Sequence, residues 1–166
     1  MFTRTFIAAT VLSVGAAIAA DLPRPEGDVI LTVSGDIAST NADGMAEFDL
    51  AMLEEIGISA FETSTIWTDG TQSFEGVALV DLMETLGVED GTLRATAIND
   101  YSIEIPVADA VEGGPILAYR RNGRDMSIRD KGPLWVVYPY DDNSEYRTEV
   151  IYSRSIWQLD RIEVKN

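Results

Sequence analysis

Hydrophobic periodicity changes character several times along this chain, and each change marks an element. Val29, Ile30, Leu31 and Val33 form an apolar run closed by Ser34-Gly35, which predicts a buried strand over 29–33. Asn41-Ala42-Asp43-Gly44 is turn chemistry. Asp49 stands where a helix cap belongs, so a short helix is predicted over 50–56, stopped by Gly57. Residues 58–66 return to strand-like alternation, and 68–71 read as a loop. Val77, Val80, Leu82, Met83 and Leu86 fall on one helical stripe with Gly87 behind it, predicting a helix over 77–86. Two strands, 93–98 and 101–105, flank the turn pair Asn99-Asp100. A helical turn at 106–110 precedes strands at 115–121, 133–138 and 155–164, with a turn at Asn122-Gly123 and an exposed acidic loop at 141–144. Many short strands with a few short helices predict an α+β fold, a mixed and mostly antiparallel sheet or barrel.

The first twenty residues fit none of this. Arg4 precedes an uncharged apolar stretch, Phe6 to Ile18, and Ala17-Ile18-Ala19 is a small-x-small cleavage pattern. The pattern predicts a signal peptide over 1–20. As a membrane anchor it would fall short of the about 20 apolar residues that a spanning helix needs. Residues 21–28, with Pro23 and Pro25, read as an extended linker, and 29–166 as one domain. The expected location is the periplasm, with no membrane insertion after cleavage.

Composition narrows the chemistry. The chain has 28 acidic and 12 basic residues. Removing a leader that contains only Arg4 leaves 28 against 11, a net charge of about −17. Such a surface repels nucleic acid and anionic lipid. There is no cysteine and no histidine, which excludes disulfides, a thiol nucleophile, a Ser-His-Asp triad and thiolate or imidazole metal ligation. Asp141, Asp142, Asn143 and Glu145 lack the spacing of an EF-hand loop and read as a solvated loop.

Several spaced segments share a further pattern. They are FEGVALVDL over 74–82, AINDYSIEIP over 97–106, PILAY followed by Asn122-Gly123, DKGPLWVVYP over 130–139, and the closing WQLDRIEV over 157–164. In order and spacing this set resembles the molybdopterin-binding domain of the sulfite oxidase family. The resemblance runs from about Val29 to Val164 and implies that family's fold. Enzymes of the family hold molybdenum through one cysteine thiolate ahead of the F-x-G-V segment. Here the corresponding stretch is Glu62-Thr63-Ser64-Thr65-Ile66-Trp67, with Ser64 nearest the ligand position. A neutral hydroxyl is a poor substitute for a soft thiolate.

The resemblance implies a pterin ligand; the missing thiolate, a departure from the family, leads to the expectation of no covalently bound cofactor, no molybdenum and no catalytic residue. Small exported members of this kind resemble pterin-binding proteins that report to the exported domain of a membrane-bound signalling enzyme. Trp67 is the candidate for stacking on the flat ring, with a core role as its other reading. Asn99 and Asp100 are candidates for the ring's donor edge, although both also suit a turn. Tyr101 could stack or donate. Arg129 and Lys131 could hold a ligand oxygen, and Gly132 would let the backbone approach; a surface ion-pair network is the alternative. Arg120, Arg121 and Arg124 read as a solvated face or a partner contact. The competing function is a molybdenum-cofactor oxidoreductase with atypical, non-cysteine ligation.

Overall fold

A computed structural model describes residues 21–166, so the expected leader lies outside the described residues. All ten strands belong to one mixed sheet that curls into a half-barrel. They are β1 (Leu31–Gly35), β2 (Ala46–Phe48), β3 (Ser59–Ser64), β4 (Thr71–Ala78), β5 (Thr92–Ala97), β6 (Ser102–Pro106), β7 (Ile116–Arg121), β8 (Arg124–Asp125), β9 (Leu134–Val137) and β10 (Trp157–Lys165). Three short helices join them: α1 (Leu50–Ile56), α2 (Leu79–Leu86) and α3 (Glu149–Arg154). The main path runs β2-β1-β10-β9-β7-β4-β3, and β5 carries β6 away from β10. Among the described strands, only the β1–β10 pair is parallel.

The core fills the curl. Leu31, Val33, Leu53, Phe74, Leu82, Leu86, Leu117, Trp135, Val137 and Leu159 are completely buried. Each such side chain contributes about 1.5–3 kcal/mol relative to exposure. Helices α1 and α2 pack on β4 and on each other, while α3 packs on β6.

Local chemistry explains most of the boundaries. Asp49 caps α1 by accepting from the Met52 N–H at 2.9 Å. The same carboxylate accepts from Glu26 and Gly27 at 2.9 and 2.8 Å. These N–H groups hold its pKa below the usual carboxylate range, with the Met52 bond the largest cause. The segment read as a linker is therefore tied to the domain, and Asn41 Nδ2 adds a bond to the Pro23 carbonyl at 2.7 Å.

The predicted helix over 77–86 is shorter than its stripe. Val77 and Ala78 pair with Leu117 and Ile116 of β7, so the helix starts only at Leu79. Strand β4 is not foreseen because Thr71, Gln72, Ser73 and Glu75 break the apolar alternation. Its partners on both edges, β3 and β7, supply the ladder instead. Helix α3 is also unforeseen. It has six residues, only Ile151 is buried, and its one clear signal is the Thr148 cap.

Arg120 does not belong to a solvated basic face. Its guanidinium reaches Glu54 at 2.5 Å, Glu75 at 2.6 Å and Asp125 at 2.8 Å. Those bonds, Glu75 first, push its pKa further upward. The group ties α1, β4, β7 and β8 together. Gly76 marks a register shift between β4 and β7, where a Cβ would collide with the Leu117 carbonyl and the Ala118 backbone. Gly76→Ala is therefore expected to destabilise the fold by about 3 kcal/mol, because neither neighbour is a flexible side-chain end. Denaturant unfolding of the variant checks this.

Candidate functional site

One feature of the half-barrel combines aromatic walls with open space. Trp67 lies in the turn after β3, held there by its own N–H donating to Thr65 Oγ1 at 3.1 Å. Its ring meets four others edge-on: Trp157 at 5.6 Å, Tyr152 at 5.8 Å, Trp135 at 5.9 Å and Tyr140 at 6.4 Å between centroids. T-shaped contacts of this kind match the ring quadrupoles, so they fix orientation as well as bury area. Beside this cluster is a cleft of about 300 Å³, lined by Trp67, Ala97, Asn99, Tyr101, Tyr152, Ser153, Ser155, Ile156, Trp157 and Gln158.

Three of the residues singled out from sequence, Trp67, Asn99 and Tyr101, thus come together from separate segments. Tyr101 stands at the rim and is 55% exposed. Asn99 Oδ1 accepts from the Tyr101 N–H at 3.2 Å, which orders the turn between β5 and β6.

Asp100 shares that turn but not the cleft. Its carboxylate pairs with Arg161 at 2.8 Å, in a separate hollow with Arg94, Thr96 and Ser102. Its positive φ of 65° carries it around the turn. Arg129 sits exposed in a 3-10 turn, Ile128–Asp130. Lys131 follows with a φ of 76° and reaches back to the cluster. Its ammonium lies 4.0 Å from the Trp157 ring centroid and 5.4 Å from that of Trp135. Burial, and secondarily the Arg121 charge, lowers its pKa. A Cβ on Gly132 would strike the Met126 carbonyl, so local packing already requires glycine there.

Sequence reading missed the residues contributed by α3 and the start of β10. Gln158 is the most informative. It has a φ of 54° and lies within the register shift of β10 against β9, between Trp157 and Leu159. Its backbone N–H donates to the Lys131 carbonyl at 3.0 Å and its Nε2 to the Ile128 carbonyl at 2.8 Å. The alternation of the last strand breaks only at Asp160-Arg161, so no local signal marks Gln158. Ser155 is wholly engaged: it accepts from Tyr140 Oη at 2.6 Å and donates to the Ile151 carbonyl at 2.9 Å.

Ser64, at the end of β3, does not line the cleft. Its N–H and hydroxyl donate to Asp141 at 2.6 and 2.7 Å, and the Asp141 N–H donates to Thr63 Oγ1 at 3.1 Å. Asp141 is thereby pinned rather than loose in its acidic loop. The Ser64 hydroxyl first, then the Ser64 N–H, hold its pKa below the usual carboxylate range. Such a depressed pKa adds stability above the ordinary carboxylate value, lost as pH falls through the folded one. Ser64→Ala removes the hydroxyl bond and is expected to move the Asp141 titration upward, toward the ordinary carboxylate range. Carboxyl NMR titration of wild type and variant measures the shift; an unmoved midpoint would contradict the assignment.

No curated protein matches the chain. Among solved structures it resembles the sulfane dehydrogenase SoxCD from Paracoccus pantotrophus, with a TM-score of 0.60 and 15% sequence identity, over 86% of this chain and 39% of that one. At that identity the likeness is one of fold, and the chain spans well under half the length of that protein. Residues 53–142, from within α1 to just beyond β9, match the family described as "Oxidoreductase molybdopterin binding domain". That is 90 of the chain's 166 residues, and the protein belongs to the oxidoreductase molybdopterin-binding domain family.

Proposed function

We propose that this protein is a periplasmic, non-catalytic binder of a pterin-like ligand, acting as sensor or carrier for the exported domain of a membrane-bound signalling enzyme. The observation that carries the reading is the cleft, where Trp67, Tyr101, Tyr152 and Trp157 surround a space of about 300 Å³ beside polar groups from Asn99, Ser153 and Gln158. That combination suits a flat heterocycle with a hydrogen-bonding edge. The volume is at the small end of ligand clefts. The cross-braced rings hold the walls in place before a ligand arrives, so less ordering cost falls on binding.

The metal half of the family's cofactor fits poorly. The position corresponding to the thiolate is Ser64, whose hydroxyl donates to Asp141. Among the described residues, no group of three or more Asp and Glu is placed to hold a metal ion, and the chain has no Cys or His to add. Hydroxyl and carboxylate are hard donors and do not replace a soft thiolate. No reaction step is assigned through molybdenum. Among the described residues no helix is long and apolar enough to cross a membrane. The export reading rests on the leader pattern of residues 1–20.

Direct titration tests the proposal. All three tryptophans belong to the aromatic cluster, so a ring entering the cleft is expected to quench intrinsic fluorescence. Tyr101→Ala, at an exposed rim position, is expected to weaken a reduced pterin about 10-fold without loss of folding. Absence of quenching up to millimolar pterin would sink the proposal. Stoichiometric molybdenum in protein purified from its native host would restore the oxidoreductase alternative.

A further inference from the structure

We propose that the cleft selects uncharged planar heterocycles and rejects their phosphorylated forms. The inference rests on the reading that the cleft binds a pterin-like ring, and it specifies which members of that class enter. Its basis is a contrast in charge. The chain has 28 acidic and 12 basic residues, yet no side chain lining the cleft is an acid or base charged at neutral pH.

The charged residues adjacent in sequence are committed elsewhere. Asp100 and Asp160 both pair with Arg161, at 2.8 and 3.0 Å. Arg154 pairs with Asp109 at 2.9 Å. Lys131 does not line the cleft; its ammonium rests on the Trp157 and Trp135 rings.

What remains available is neutral and mostly donating. The Asn99 side-chain oxygen already receives the Tyr101 N–H, which leaves its amino group. Gln158 Nε2 is used on the Ile128 carbonyl, which leaves Oε1 as an acceptor. The indole N–H groups of Trp67 and Trp157 have no hydrogen-bond partner among the described residues, in contrast to Trp135, whose Nε1 donates to the Ser155 carbonyl at 3.2 Å. A neutral amide-like edge, with carbonyl and ring-nitrogen acceptors beside an amino donor, complements this set. A phosphate does not. It would lose hydration against indole and phenol rings with no guanidinium or ammonium in the lining to replace it. The net negative field of the protein adds to that cost.

Fluorescence titration with 6-hydroxymethyl-7,8-dihydropterin and with its diphosphate ester tests this on the whole mature chain. The alcohol is expected to bind at least about 10-fold more tightly than the diphosphate at low salt. Its affinity is expected to change less than about 2-fold as salt is raised, since no charge is being screened. Ser153→Lys, at an exposed cleft position, is expected to bring the diphosphate to within about 2-fold of the alcohol. Equal or tighter binding of the diphosphate to the wild type overturns the inference while the pterin reading stands. A ratio unmoved by Ser153→Lys points to exclusion by size and also overturns it. If neither compound quenches, the pterin reading falls and the selection falls with it.

Discussion

Strand β10 has two edges and three partners. Along one edge it pairs with β5 over most of its length; on the other, β9 takes the first part and β1 the rest. The registers of β10 shift at Gln158 and Asp160, between the part that pairs with β9 and the part that pairs with β1. A bulge bends a strand and increases its local twist, which is how a sheet closes on itself without a break in its ladders. The curl of the half-barrel, the enclosure of its core and the position of the cleft all follow from this. Trp157 and Gln158 reach the cleft because the bulge turns them there.

The same bend explains why the aromatic cluster is rigid. Trp157 pairs directly with Trp135 of β9, and their rings meet edge-on at 6.3 Å. Trp67 closes the group from the turn after β3. Lys131 caps Trp157, and its own carbonyl accepts from the Gln158 N–H, so the 127–131 segment is tied to the bulge. Cation–π contact contributes about 0.5–2 kcal/mol here, with partial burial favouring the upper part of that range. Three sequence-distant segments thus hold one wall.

Charge is handled by segregation. Arg120 gathers three carboxylates at the outer face of β7, Arg161 two near the β5–β6 turn, and Arg154 joins α3 to Asp109. Exposed pairs of this type contribute little individually. Their arrangement nevertheless leaves the cleft lining neutral in a strongly acidic protein. Ser64 and Asp141 form a similarly closed unit at the end of β3.

The sequence by itself determined the fold class, most strand positions and the cap of α1, because apolar alternation and turn residues are local signals. Ordered motifs with Gly76 and Gly132 pointed to the family, since close backbone contacts leave only glycine at those places. It also determined that no thiolate is available. Tertiary structure decided everything that depends on partners distant in the chain. It made a strand of the polar segment 71–78 because β3 and β7 satisfy both of its edges. It sent Asp100 to Arg161 and left Asn99 and Tyr101 in the cleft, though the three are consecutive, because the positive φ at Asp100 separates their directions. It brought Tyr152 and Gln158 beside Trp67, which no local pattern encodes, because the pairing of β10 with β9 and the curl of the sheet set their distance.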